Sequence, residues 1–312
     1  MPGHRLLAVA LLPTLLLFAG GCGRRDETPV PVAEQAAPAP RAEAQPAPEP
    51  PKAAPVDASN WDFARFSAAM DASGRKSKID ETAFAAIRGK REKALAEAET
   101  YLKERFGEAD PRVMQAFRDL PREYFHYNYQ GPYAFPREAY EIPAKPWAVG
   151  YGSALSDYLG QLYMTQVSEP KPDQTVLEIG TGSGYQIALL SRLVRSAYSI
   201  EIIQPLGEGV ARIFEPLGYD NVHTRVGDGY FGWPEVDGGF DLIIVTCAAP
   251  FVPPELLRQL KPGGKLVIPI GQPFKRGQFL NIYTKDTDGK VRSKRDMGVY
   301  FIPMTGAVEK KG

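Results

Sequence analysis

Glu178, Gly180, Gly182 and Gly184 occupy alternate positions in the stretch VLEIGTGSG, residues 176–184. An apolar run leads into them and a helical apolar pattern follows, so the glycines and the intervening Thr181 read as a strand-to-helix turn. Glycines let a ligand lie close against the backbone. The start of the next helix adds unpaired N–H groups and a partial positive charge. Turns of this kind serve many ligands, and the neighbouring residues narrow the choice. The spacing is GxGxG, not the GxGxxG of dinucleotide sites. A carboxylate at Glu178 would repel a pyrophosphate but suits an ammonium or a sulfonium. Glu201 ends the next apolar run, where an acidic side chain can accept from both ribose hydroxyls. Asp228-Gly229 ends a third run, where Asp228 can accept from an adenine amino group. One ligand meets all these features: S-adenosylmethionine, with an adenosine and a cationic amino-acid tail. Each residue also has a plainer use. Glu178 could pair with a lysine, Glu201 could cap a helix, and Asp228-Gly229 could be only a turn.

These residues require strand tips to hold them, and from Thr175 onward the chain supplies alternating strands and helices. TVLEIG is a strand and GYQIALLSRLV a helix; AYSIEI is a strand and PLGEGVARIFEPLG a helix. NVHTRVGD is a third strand, and FDLIIVT a fourth, apolar enough to be buried on both faces. PPELLRQL is helical, GGKLVIPIG is a fifth strand, and GQFLNIYTKDTDGKVRSKRD is a hairpin turning at Asp288-Gly289. This succession predicts an α/β fold, Rossmann-like, with a mostly parallel, doubly wound sheet. Its ligands sit at the carboxyl ends of the strands.

Ahead of this core the spacing predicts one helix over residues 80–106, with Phe84, Ile87, Ala94, Leu95, Ala98, Tyr101 and Leu102 on its apolar face and Gly107 as its cap. A shorter helix runs from Pro111 to Leu120. Residues 124–152, rich in aromatics, Gly and Pro, read as loop. Still earlier, MPGHRLLAVALLPTLLLFAGGC has the layout of a secretory signal: a basic start, a short apolar run and small residues before Cys22. That arrangement resembles the lipobox of bacterial lipoproteins, which implies acylation at Cys22. The Pro/Ala-rich stretch to residue 58 cannot bury enough apolar surface to fold and reads as a tether. The chain therefore divides into a signal (1–21), a lipid-bearing tether (22–58), a helical region with a substrate-side loop (59–150) and a core (151–312). The expected location is the extracytoplasmic side of a membrane, held only by the lipid; cytoplasm is the alternative.

Lys plus Arg number 37 and Asp plus Glu number 37, so the net charge is zero. That argues against a nucleic-acid partner bound by bulk electrostatics. With Cys22 acylated, Cys247 stands alone, leaving no internal disulfide and no cysteine-based metal site.

The segments VLEIGTGSGYQIALLSRLV, SIEI, TRVGDGYFGWPE, FDLIIVTCAAP, LLRQLKPGGKLVIPIG and VYFIPMTG, with DPRVMQAFRDLPREYF upstream, together resemble the protein-L-isoaspartate O-methyltransferase family over roughly residues 110–306. The resemblance implies methyl transfer from S-adenosylmethionine to the free carboxylate of isoaspartyl residues, which form when Asn or Asp rearranges through a succinimide. It implies isoaspartyl proteins or peptides as partners, no metal, and a monomer. The family's substrate segment, Gly-His-Gly-Gln-Thr-Ile-Ser-Gln-Pro-Tyr, aligns with GYGSALSDYL, residues 150–159. Ser156 falls in register and is implied to be the active-site hydroxyl; otherwise it would only cap the next helix. Tyr151 replaces His, Ser153-Ala154 replaces Gln-Thr, Asp157-Tyr158-Leu159 replaces Gln-Pro-Tyr, and Tyr300 stands where the family has Arg. These changes leave two other readings open: a different methyl acceptor, or an exported binding protein on the same fold.

Overall fold

A computed structural model describes residues 55–272 and 277–311. The signal, Cys22 and most of the tether lie outside them. Five helices come first: α1 (Phe63–Ala72), α2 (Glu81–Gly89), α3 (Arg91–Phe106), α4 (Pro111–Asp119) and α5 (Arg122–Phe125). Two small hairpins follow, β1 (Tyr127–Asn128) with β2 (Tyr133–Ala134) and β3 (Trp147–Gly150) with β4 (Ser153–Leu155), and then α6 (Tyr158–Ser168). The alternating part comprises β5 (Thr175–Ile179), α7 (Tyr185–Ser191), β6 (Ser196–Glu201), α8 (Gln204–Val210), β7 (Val222–Val226), β8 (Phe240–Val245), α9 (Pro254–Gln259) and β9 (Leu260–Ile270). The hairpin β10 (Gln278–Lys285) and β11 (Val291–Val299) and the short α10 (Ala307–Lys310) complete it.

The strands form one sheet in the order β11-β10-β9-β8-β5-β6-β7. From β9 to β7 all neighbours are parallel, and β10 runs antiparallel to both of its neighbours. The chain winds outward from β5 to β7 and then returns to the other side of β5 to make β8. The connections leaving β5 and β8 therefore diverge, and this switch point is where such sheets bind ligands.

Alternation along each strand sorts side chains between two layers. Val176, Leu242, Ile244 and Val267 join the core built with α7 and α8. Leu177, Ile179, Ile243, Val245, Leu266 and Ile268 join the core under α9 and α10. Because the winding reverses at the switch point, right-handed crossovers put α7 and α8 on one face and α9 on the other. The amino-terminal helices share the first of these cores: Trp61, Phe66, Phe84, Ile87, Leu95 and Leu102 are buried in the cluster that holds Leu189 and Val210.

Two expectations change. The single helix over 80–106 is two helices meeting at Lys90, just after Gly89, the weakest helix former in the stretch. Its predicted boundaries hold, with Asp80 Oδ1 accepting from the Ala83 N–H at 2.8 Å and Gly107 capping the far end at φ 85°. Residues 124–152 are not plain loop. Asn128 Oδ1 accepts from the N–H groups of Gln130 and Gly131, and this Asx turn joins β1 to β2.

His126 is fully buried beside Phe135, and neither ring nitrogen has a hydrogen-bond partner among the described residues. Burial, reinforced by the charge of Arg122, holds its pKa well below the ordinary histidine value. A depressed folded-state pKa contributes stability that is present above the unfolded value and lost below it. Below about pH 6.5 this one residue is expected to cost up to about 1.4 kcal/mol per pH unit. His126→Phe should remove that increment, read as a smaller drop in Tm than wild type between pH 7.5 and 5.5.

Candidate active site

The carboxyl ends of β5, β6 and β8 open on a cavity of about 720 Å³. Its floor is the turn after β5, and its walls come from the loop after β4, from α6 and from residues 297–305.

Glu178 and Ser199 are register partners on β5 and β6, so their side chains lie side by side. Ser199 Oγ donates to Glu178 Oε2 at 2.5 Å, and Thr181 Oγ1 lies 2.7 Å from Ser199 Oγ. Glu178 is fully buried, and no lysine meets it among the described residues. Burial pushes its pKa well above the usual carboxyl value, the Ser199 hydroxyl opposes this, and nearby Glu201 adds to it. Glu178 lines the cavity, and its other oxygen, Oε1, has no partner among the described residues. A buried carboxyl with one unpartnered oxygen is costly, and a ligand cation in the cavity beside it would offset that cost.

Glu201, at the tip of β6, also lines the cavity. Its Oε2 accepts from the Gly182 N–H at 2.9 Å and its Oε1 from the Ile203 N–H at 3.0 Å. Burial raises its pKa, and these backbone donors oppose the rise. The same carboxylate thus holds the glycine turn against the start of α8, and each oxygen keeps a lone pair for hydroxyl donors. Thr246, at the tip of β8, donates its hydroxyl to the carbonyls of Ile179 and Gly180 and pins the far side of the turn. Gly180 adopts φ 96°, and a Cβ there would meet Thr246 Oγ1 at 2.8 Å, so only glycine fits. Beside Glu201, the half-exposed Ile202 offers an apolar surface to the cavity. This combination of open carboxylate, paired acceptor oxygens, glycine floor and apolar flank fits S-adenosylmethionine.

Two residues expected to face the ligand also have protein contacts that account for them. Gly184 is outside the cavity lining, and a Cβ there would strike Val210, Ile213 and Phe214 at 2.8–3.0 Å. Its glycine lets α7 pack on the segment around α8. Asp228 is also outside the lining. Its Oδ1 caps the short turn at Tyr230, and its Oδ2 accepts from the Ala307 N–H at 2.7 Å, tying the third strand's end to α10. Its neighbour Gly229 does line the cavity, and a Cβ there would strike the Ile179 side chain.

On the acceptor side, Ser156 lines the cavity and its hydroxyl has no partner among the described residues. It does not cap α6; Asp157 does, accepting from the Gly160 N–H at 2.8 Å. That bond fixes the Asp157 carboxylate at the start of α6. Ser156 is held through its carbonyl oxygen, which accepts from Arg122 Nη2 at 2.7 Å, while Arg122 Nη1 donates to Gln161 Oε1 at 2.6 Å. The loop before it has three consecutive residues in the left-handed region, Gly150, Tyr151 and Gly152. The Tyr151 N–H donates to Gln130 Oε1 at 2.9 Å, so the β1–β2 turn braces this loop.

Ser153, Thr246, Ile202 and Arg122 were not singled out from sequence. Thr246 carried a usable signal, a lone hydroxyl ending an apolar strand on the ligand side of the sheet. Cys247 also lines the cavity, where burial pushes its thiol pKa up and disfavours the thiolate.

Residues 92–309 match a sequence family described as protein-L-isoaspartate(D-aspartate) O-methyltransferase. A protein-L-isoaspartate O-methyltransferase 2 of Syntrophobacter fumaroxidans is 42% identical over 239 residues, covering 76% of this chain and 93% of that protein. A protein-L-isoaspartate O-methyltransferase 1 of Nitrosospira multiformis is 50% identical over 161 residues, covering 52% and 67%. Among solved structures, a protein-L-isoaspartate O-methyltransferase superposes with a TM-score of 0.60 at 27% identity, covering 70% of this chain and 67% of that one. A Plasmodium falciparum protein solved with S-adenosyl-L-homocysteine superposes at 0.55 with 21% identity, covering 67% and 97%, and shares the fold.

Proposed function

The chain belongs to the protein-L-isoaspartate(D-aspartate) O-methyltransferase family, and from that premise we propose that it methylates the free carboxylate of isoaspartyl residues in damaged proteins. The observation that carries this reading is the single cavity holding Glu178, Glu201, the glycine turn and the unpartnered Ser156 hydroxyl. S-adenosylmethionine, when bound, supplies a methyl group already activated on a sulfonium. Glu178 would hold its cationic end and Glu201 its ribose. The acceptor carboxylate has an unperturbed pKa of about 4 and is ionised at neutral pH, so the site has no need of a general base. What the protein contributes is placement, for which proximity can supply up to ~7–11 kcal/mol. Ser156 donates to the acceptor carboxylate and aims it.

The test is a methyl-transfer assay on an isoaspartyl peptide and its normal aspartyl twin. Methylation of the first alone is expected; methylation of both, or of neither, would overturn the reading. Ser156→Ala should lower kcat about tenfold or more, the worth of one hydrogen bond to a charged group, with donor affinity unchanged.

We further propose that the protein works as a monomer on the extracytoplasmic side, held by a lipid on Cys22. The support is the order of basic start, apolar run, small residues and cysteine, followed directly by a Pro/Ala-rich tether. Among the described residues no helix is long and apolar enough to cross a membrane. Membrane fractionation with mass analysis of Cys22 checks this; an unacylated Cys22 in the soluble fraction would count against it.

A further inference from the structure

The cavity must receive a carboxylate, yet its described wall carries three carboxyl groups, Asp157, Glu178 and Glu201, and no Lys, Arg or His. Tyr151 and Tyr300 also line it. Arg122 stands behind the wall. Its terminal nitrogens are taken by Gln161 and the Ser156 carbonyl, its plane lies over the Tyr185 ring, and Asp157 offsets its charge. Ser156 offers the acceptor a hydroxyl, and Ser153 offers a second, lying over Gly182. Hydroxyls satisfy hydrogen bonds but do not balance charge, and an uncompensated carboxylate is costly to enclose.

We propose that in this chain the methyl donor itself is the acceptor's counter-ion, so that the acceptor carboxylate binds only after a cationic donor is in place. The inference rests on the proposed isoaspartyl activity and adds an order of binding to it. Its consequence is a charge-gated cycle. Transfer turns the sulfonium into a neutral thioether and the carboxylate into a neutral ester, so the attraction that assembled the complex ends with the reaction.

Two donor analogues separate charge from shape. S-adenosylhomocysteine has a neutral sulfur, whereas sinefungin carries an ammonium in place of the sulfonium. Binding of an isoaspartyl peptide to the full chain is measured by calorimetry with each analogue and with neither. Affinity should be about tenfold or more higher with sinefungin than with S-adenosylhomocysteine, an estimate from the attraction of two unit charges at contact in a partly shielded site. By reciprocity the peptide should tighten sinefungin binding by the same factor. A peptide with a carboxamide in place of the free carboxylate should not distinguish the analogues. Tyr300 is 69% exposed, so Tyr300→Arg should fold normally. That variant should bring a cation to the rim and let the peptide bind with S-adenosylhomocysteine.

Equal affinity with both analogues, or equal binding to the donor-free protein, would overturn the inference while leaving the isoaspartyl activity standing. A peptide that binds in none of these states would overturn both.

Discussion

Glu178→Gln is expected to weaken S-adenosylmethionine binding on the order of a hundredfold or more, the range seen when one partner of a buried charge pair is removed. The glutamine carbonyl can still accept from Ser199 Oγ, so the hydrogen-bonded floor of the turn survives and the lost term is charge. The same substitution should make the ligand-free protein more stable at neutral and higher pH. Glu178 is buried with a raised pKa. A carboxyl of this kind contributes stability that is present below its unfolded value of about 4.3 and lost as pH rises through the folded one. Gln does not titrate, so the Tm advantage of the variant over wild type should grow between pH 5 and pH 8. Calorimetric donor affinity and ligand-free melting curves check the two halves. A variant that binds the donor normally would remove Glu178 from the site.

Arg122→Met should lower kcat about a hundredfold, the scale of a 1 Å misplacement near the reacting groups, with donor affinity nearly unchanged. Methionine fills much of the volume and removes a buried charge whose Nε has no partner among the described residues. What is lost is the pair of bonds to Gln161 Oε1 and the Ser156 carbonyl. Arg122→Lys should not rescue, because an ammonium cannot reproduce the planar fork that spans both acceptors. Arg122 is thus a positioning residue. Normal kcat with normal folding in Arg122→Met would refute that role.

The centre of the sheet was legible because β5, β8 and the second half of β9 are apolar runs buried on both faces, which leaves such runs few alternatives. Glu178 and Glu201 were legible because a carboxylate at the tip of a buried strand needs a reason to be there. Gly184 and Asp228 were only partly legible, for a shared physical cause. Glycine permits close approach of a ligand or of a helix, and aspartate accepts from an adenine or from a backbone N–H; sequence does not separate these. In the structure α8's neighbours fill the space at Gly184, and Tyr230 and Ala307 take up Asp228. Arg122 was unreadable for the opposite reason, since a buried arginine and a surface arginine are identical in sequence. The break at Lys90 was hidden because apolar spacing continues on both sides of it.

Arg122 and Glu123 are adjacent in α5 but reach in different directions. Arg122 holds the acceptor loop, while Glu123 accepts from Trp61 Nε1 at 3.0 Å, Arg88 Nη1 at 3.4 Å and Tyr140 Oη at 2.6 Å. One dipeptide is therefore a mechanical joint between the amino-terminal helices and the reacting end of the cavity. A shortened chain starting after Phe106 would strip that joint of its Trp61 and Arg88 anchors and leave Glu123 with Tyr140 alone. Trimming to that point would then be felt first as slack at Ser156, well before the sheet itself came apart.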